Sequence, residues 1–272
     1  MTRPIRNGRI RMTQGTVFWR EVGYGPTLLF LHGSWQDSSQ WLALMAQLGQ
    51  KFHCLAPDLL GFGESSRLPK GNYSVDLETD CLAEYLASLR GQPRVIVADS
   101  LGAWVAIRYS LQHPEIIQGL VMMAPEGLSH PVLDQRWQTM RWLASPWSVR
   151  GRGLKLVAPL LKLLGRARWL QGVRQRQQKL HRHRAACRLL FQRRQTALKA
   201  EWINELLPQL SIPVLLLHPE QASHETQLAN TLCHDLAPQS QLLAMPGDES
   251  TVWQTAIEKI DVFVETNTIA SP

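Results

Sequence analysis

At residues 95–104 the sequence runs Val-Ile-Val-Ala-Asp-Ser-Leu-Gly-Ala-Trp, and few local folds satisfy it. Small and β-branched residues lead into Ser100, and the amphipathic run 104–113 behind it reads as a helix. Between them Ala98, Ser100 and Gly102 make the pattern small-x-Ser-x-Gly. A strand that turns sharply into a helix holds its apex residue in a strained conformation, so the residues two before and two after must be small. The hydroxyl of Ser100 then stands above the sheet edge as a candidate nucleophile. The N–H of Leu101, at the start of the helix, can point at a developing oxyanion. The pattern alone is short and arises by chance in many chains; its flanks make it a nucleophile elbow.

Such a turn needs a sheet around it, and the rest of the chain supplies one. Residues 10–12 and 16–22 flank Thr13-Gln14-Gly15 and predict a β-hairpin, followed by a Gly23-Tyr24-Gly25-Pro26 turn. Residues 28–31 predict a fully buried strand ending at His32-Gly33-Ser34-Trp35. There the glycine lets the backbone approach a neighbouring loop, and Ser34 offers a second N–H for an oxyanion. His32 reads as a packing and hydrogen-bonding residue under that loop. A helix over 38–48, capped by Ser38 or Ser39, a strand over 52–56, a helix over 75–89 and a strand over 117–123 follow. Gly61 and Gly63 stand two apart, but Ser66 occupies the place of the third glycine of a phosphate-binding loop, so the segment reads as a structural turn. Alternating strands and helices predict an α/β fold with a mainly parallel sheet covered by helices on both faces.

Composition narrows the remaining classes. With 272 residues and 44% apolar content the chain can bury a full core as one domain, or as one domain with a large insertion. Cys54, Cys81, Cys187 and Cys233 are far apart with no C-x-x-C pair, which predicts neither a metal site nor a disulfide framework, and a reducing compartment. No apolar stretch follows the basic residues 1–12 as a secretory signal requires, and none reaches the roughly 18 uncharged residues of a membrane span. The expectation is a cytoplasmic protein, with peripheral membrane contact left open, that needs no cofactor and no metal.

Residues 28–128 and 211–265 resemble α/β-hydrolase-fold proteins, in particular their esterase, lipase and C–C hydrolase branches. The matching pieces are His32-Gly33, Pro57-Asp58-Leu59-Leu60-Gly61-Phe62-Gly63-Glu64-Ser65, Ala98-Asp99-Ser100-Leu101-Gly102, His113-Pro114 and Gly119-Leu120-Val121-Met122-Met123-Ala124-Pro125. The resemblance implies a core in two parts, 1–125 and 209–272, interrupted by a helical basic cap over 126–208. It also implies Ser100 as nucleophile, with Leu101 and Ser34 as the oxyanion hole.

The nucleophile's partners depart from the family pattern. A serine needs a base to take its proton, and the base needs an orienting acid. The family's acid follows the strand after the insertion, where His218 and Gln221 stand roughly in place of its glycine and aspartate. Its histidine follows the last strand, where the sequence has Gly247-Asp248 instead of Gly-His, and no histidine occurs after His234. Asp248 is therefore the candidate base at the usual histidine position, a feeble proton acceptor near its ordinary pKa of about 4 unless it is desolvated. Glu126, after the strand that ends at Met123, occupies a place where some branches carry the acid. His181 and His183 lie in the insertion and could fold over the site, whereas His224 and His234 belong to a helix. For all four a surface or helix-facing role is the expectation.

The insertion stands apart by charge. Residues 126–208 carry 17 Lys and Arg against only Glu126, Asp134, Glu201 and Glu205, while the remainder has 12 basic and 18 acidic residues. An ordinary solvated surface mixes both signs. Trp137, Trp142, Trp147, Trp169 and Trp202 lie among the arginines, and 153–164 is a leucine-rich amphipathic segment. Tryptophan and leucine beside Lys and Arg suit an interfacial helix on anionic headgroups. The expected contacts, with a membrane or another partner, are Trp142, Trp147, Lys155, Lys162, Arg166, Arg168 and Trp169. A lid covering the catalytic core would account for the apolar residues but not for the missing acids. An acidic protein partner suits the charge equally well. Nucleic acid ranks below both, because 166–199 has the charge density but no recognisable module. Two functions follow. One is a serine-type hydrolase of apolar or lipid-like carboxylic esters at a membrane surface, with a non-standard base. The other is an inactive pseudo-hydrolase that binds an apolar ligand, an anionic membrane or an acidic protein partner.

Overall fold

The apolar runs become the inner strands of an eight-stranded sheet of order β1-β2-β4-β3-β5-β6-β7-β8. The structure, a computed structural model, describes residues 3–268 apart from 70–72, 90–91, 145–170, 173–174, 176–179, 181 and 249–250. The strands are β1 (Arg6–Arg11), β2 (Thr16–Val22), β3 (Thr27–Leu31), β4 (His53–Pro57), β5 (Val95–Asp99), β6 (Gly119–Met123), β7 (Val214–Pro219) and β8 (Ser240–Met245). β1 pairs with β2 and β2 with β4 antiparallel, and every other pairing is parallel.

Alternation along the central strands sends side chains to two faces, both covered. Leu29, Leu31, Ile96, Ala98, Leu120 and Met122 join one core, beneath α2 (Val75–Ala87), α3 (Leu101–Gln112) and α7 (His224–Leu236). Leu28, Phe30, Val95, Val97, Val121 and Met123 join the other, beneath α1 (Leu42–Leu48), α8 (Val252–Thr255) and α9 (Ile257–Thr268). Burial on both faces explains why these strands read as unbroken apolar runs. The hairpin strand β1 is polar and mostly exposed, and it extends further than the predicted 10–12.

Between β6 and β7 the described residues form α4 (Pro131–Ala144), α5 (Arg184–Phe191), α6 (Gln195–Lys199) and a 3-10 turn over Leu207–Gln209. Leu133, Leu143, Leu189, Leu190, Leu198 and Ile203 continue the first core, so these helices sit on it without a polar gap. The attachment is also polar. Glu201 is 3% exposed, and its carboxylate accepts from Arg193 at 2.5 and 2.7 Å and from the Val75 N–H at 3.2 Å. Its carbonyl accepts from Trp104 Nε1 at 2.8 Å. One acid of a basic segment thus ties α2, α3 and the region after α6 together. Trp142 packs against the core with its indole N–H buried, while Trp147, Lys155, Lys162, Arg166, Arg168 and Trp169 lie outside the described residues. No helix among the described residues is long and apolar enough to cross a membrane.

Two of the element boundaries that differ from the sequence reading do so for a clear local reason. A 3-10 turn over Ser38–Trp41 precedes α1 and is capped by Asp37, which accepts from the Ser39 N–H at 2.9 Å. Ser38 is buried and engaged elsewhere: its N–H donates to Asp58 at 2.7 Å and its hydroxyl accepts from Arg20 at 3.1 Å. β6 starts at Gly119 because Ile117 still bonds back to the His113 carbonyl, at 3.4 Å.

Candidate active site

Ser100 sits at the apex between β5 and α3 with φ 51° and ψ −111°. It and Ala124, φ 46°, are the two non-glycine residues with positive φ among the described residues, and both lie in this site. Such backbone costs about 1–3 kcal/mol and persists only where the surroundings over-determine it. Here they do. The Ser100 N–H donates to the Met123 carbonyl at 3.0 Å, and the Ser100 carbonyl accepts from the Glu126 N–H at 3.1 Å. The elbow is stitched on both sides to the loop after β6. Glycine is required nearby, since a Cβ on Gly102 would stand 2.4 Å from the Leu31 carbonyl oxygen. One on Gly33 would stand 2.7 Å from an Asp99 carboxylate oxygen and 3.3 Å from Ser100 Cβ.

The same stitching brings Glu126 to Ser100. Its carboxylate accepts from the Ser34 hydroxyl at 2.5 Å, and the Ser100 hydroxyl nearby favours its ionised form. Burial pushes the Glu126 carboxyl above the usual carboxylate range, against the opposite pull of these two hydroxyls and of Arg136. Ala124 makes the turn that brings Glu126 back over the elbow, and its N–H is fixed by the buried Asn230 side chain at 3.0 Å. The N–H groups of Ser34 and Leu101 have no hydrogen-bond partner among the described residues. Of the two, Ser34 lines the cavity described below, and Leu101 does not.

Gln40 locks the oxyanion loop to the elbow strand. It accepts from the Gly33 N–H at 3.1 Å and donates to Asp99 at 2.8 Å. His32 is fully buried beneath the loop, with Nδ1 donating to the Gly33 carbonyl at 3.0 Å and Nε2 accepting from the Leu59 N–H at 3.1 Å. This bonding requires the neutral ring, and burial lowers the His32 pKa accordingly. Its role is structural.

A cavity of about 450 Å³ opens over Ser100. Ser34, Asp99, Ser100 and Glu126 make its polar floor, and Trp35, Leu133, Trp137, Met140, Leu190 and Phe191 make an apolar wall contributed largely by α4 and α5. Trp35 stacks on Phe191 at 6.2 Å between ring centres, and Trp137 meets both Phe191 and Trp104 edge-on. Arg136 and Glu225 also line the cavity; its own backbone N–H, then Arg136, keep the Glu225 carboxyl below its ordinary value.

The other predicted partners lie elsewhere. Asp248 is exposed and absent from the cavity lining; its carboxylate accepts from the Thr251 N–H at 3.1 Å, and its own N–H donates to the Thr251 hydroxyl at 3.0 Å. Gln221 is exposed, its N–H bonded to the Gly247 carbonyl at 3.1 Å. Among the described residues no histidine lines the cavity. His183 packs edge-on against the indole of Trp35 at 5.9 Å, His224 is exposed and His234 bonds Ser240, while His181 lies outside the described residues. Sequence reasoning missed Gln40, Asp99, Arg136 and Glu225. Asp99 carried a signal, being the residue next to Ser100 inside the elbow pattern. The other three carried none.

A strained serine at a strand-to-helix elbow, on a mostly parallel sheet with helices on both faces, defines the class. Residues 28–255 match the Alpha/beta hydrolase family, and the chain belongs to it. It is similar to the 2-hydroxymuconate semialdehyde hydrolase of Pseudomonas sp. (strain CF600), with 32% identity over 123 residues, 43% of this chain and 44% of the relative. An esterase of Mycobacterium tuberculosis is 36% identical over 101 residues, 37% and 33% of the two chains. An uncharacterised protein of the same organism is 34% identical over 114 residues, 42% and 33%. The matches thus span a third to under half the length of these curated relatives. In architecture the chain resembles an esterase of Thermogutta terrifontis, with TM-score 0.70, 20% identity and coverage of 96% and 98%. It also resembles a haloalkane dehalogenase of Bradyrhizobium elkani, with TM-score 0.71, 18% identity and coverage of 98% and 100%.

Proposed function

We propose that this α/β-hydrolase is a serine-type hydrolase of apolar or lipid-like carboxylic esters that works at an anionic membrane surface. The observation that carries the reading is the elbow itself: Ser100 is held at φ 51° in the lining of the cavity, next in the chain to Leu101 and across the cavity lining from Ser34, whose N–H groups bond no other described residue. A polar floor beneath an apolar wall suits an ester whose carbonyl lies over Ser100 and whose chain lies along Trp35, Trp137 and Phe191. Attack by Ser100 would put negative charge on the carbonyl oxygen, where the two N–H groups stabilise it. The membrane surface rests on composition, on the 17 basic residues of 126–208 and the tryptophans among them.

The second reading is a pseudo-hydrolase that keeps the cavity for an apolar ligand, or the basic segment for an anionic membrane or acidic protein. It is favoured by the absence of any histidine from the described cavity lining. Labelling with a fluorophosphonate separates the two. A hydrolase is labelled at Ser100 and loses the label in Ser100→Ala, whereas well-folded protein that takes no label is the pseudo-hydrolase. Retention on anionic vesicles at low salt with release at high salt tests the docking element, because surface attraction is screened within about 10 Å at 0.1 M salt.

A further inference from the structure

We propose that Glu126 is the base for Ser100, acting on the hydroxyl directly with no imidazole between them, and that the Ser34 hydroxyl positions the Glu126 carboxylate. The proposal rests on the hydrolase reading above and names the group that reading lacks. Geometry comes first. Glu126 and Ser100 line the same cavity, the Glu126 N–H donates to the Ser100 carbonyl at 3.1 Å, and the Ser100 hydroxyl favours the ionised Glu126 carboxylate. The Ser34 hydroxyl donates to the carboxylate at 2.5 Å, which restrains it from swinging out into the cavity.

Competing carboxylates are committed to other partners. Asp99 is held by Gln40 and Asp248 by Thr251, while the Glu225 carboxyl is kept below its ordinary pKa by its own backbone N–H and then by Arg136, which weakens it as a base. An ordinary carboxylate is too weak a base for a serine hydroxyl, and a base gains strength as its pKa approaches the working pH. Burial moves Glu126 in that direction. The groups that face it are the Ser34 and Ser100 hydroxyls and Arg136 of α4, all favouring the ionised form, while Asp99 of β5 and Glu225 of α7 share the cavity.

The steps balance without any further reactant than water. The Glu126 carboxylate takes the Ser100 proton as Oγ bonds to the ester carbonyl carbon, and the carbonyl electron pair moves to the oxygen between the Leu101 and Ser34 N–H groups. Collapse re-forms the carbonyl and breaks the bond to the alcohol oxygen, which receives the proton from Glu126. Water then gives a proton to Glu126 and attacks the acyl carbon. The second collapse releases the carboxylic acid and returns the proton to Ser100. Ester and water become acid and alcohol, and Glu126 ends as it began.

The test is the rate of 4-nitrophenyl butyrate hydrolysis across pH, with fluorophosphonate labelling in parallel, for the wild-type protein, Ser100→Ala, Glu126→Gln and Ser34→Ala. The base must be ionised, so wild-type kcat/KM rises with pH through a limb set by Glu126, above the range of an ordinary glutamate. Glu126→Gln is expected to lower kcat/KM by about 10²–10⁴-fold and to abolish that limb. Ser34→Ala removes a hydrogen bond to the ionised form and moves the limb to higher pH, a displacement that loss of packing alone would not produce. If Ser100→Ala is dead while Glu126→Gln keeps its rate and the same limb, the base is another group and this proposal is overturned, with the hydrolase reading intact. If wild-type protein neither hydrolyses the ester nor takes the label, the hydrolase reading falls and the base falls with it.

Discussion

The two sides of the cavity use their polar residues differently. On the β3–β5–β6 side, bonds run between elements far apart in sequence: Ser34 to Glu126, Gln40 to Asp99, Glu126 to Ser100 and Ala124 to Asn230. Beyond β7 and β8, Gln221 joins one loop to the other at Gly247, while Asp248 and Thr251 bond each other three residues apart within one turn. The first side holds strained backbone in place by distant contacts; the second mainly completes its own loops. Chemistry that needs a fixed nucleophile and a fixed base finds both on one side.

If that contrast is functional, substitutions on the two sides must differ in kind. Ser100→Ala should produce the largest effect, a fall in ester kcat/KM of about 10³-fold or more with complete loss of label. Activity persisting in that variant would move the nucleophile elsewhere. Gly102→Ala comes next, because its Cβ meets backbone at 2.4 Å and cannot be accommodated by a side-chain shift. We expect a loss of about 3 kcal/mol in urea unfolding; a neutral result would show that the elbow is looser than its contacts imply. Across the cavity, Asp248→Ala removes a local turn partner and should cost about 1 kcal/mol, read as a small fall in Tm. A loss of activity as large as that of Glu126→Gln would instead place Asp248 in the chemistry.

An effect of another kind, on the pH dependence of stability, concerns Glu78, buried beneath the 57–62 loop, where one oxygen accepts from the Leu60 N–H at 3.0 Å and the other has no partner. Burial raises its pKa from 4.5 to about 8. A folded-state pKa above the unfolded one means that the native state holds the proton more tightly. The stability from this group is therefore fully present below pH 4.5 and is lost as pH rises through about 8. Glu78→Gln should flatten that decline in a series of unfolding curves, and an unchanged slope would mean that Glu78 is ionised in the native protein. Unlike Glu126, this carboxyl lines no part of the cavity over Ser100.

What the sequence could convey follows the same division. The central strands were readable because burial on both faces leaves no polar residue to interrupt them, and the elbow because Ala98, Ser100 and Gly102 are dictated by local sterics. The polar hairpin strand Arg6–Arg11 was seen only at its end, since pairing with β2 rather than apolar burial makes it a strand. The cap at Asp37 was missed because Ser38, a good capping residue by type, is engaged by Arg20 and Asp58. Glu126 was recognisable as a residue after β6, but its arrival at Ser100 depends on the left-handed turn at Ala124 and on Asn230, 106 residues further along. No spacing rule encodes that contact. Asp248 occupied the expected position in the chain, yet its orientation is set by Thr251.

The Glu201 anchor bears on how ionic strength acts on this molecule. Its bond to Arg193 is sheltered, with side chains 4% and 13% exposed, so added salt leaves it largely unscreened, whereas solvated lysines and arginines lose their reach within a Debye length. Titrating salt therefore separates two properties that a strongly basic segment would otherwise entangle. Attraction to an anionic surface should fade while the helices over Ser100 stay seated, so a rate measured on a soluble ester becomes an internal control for any binding lost at high salt.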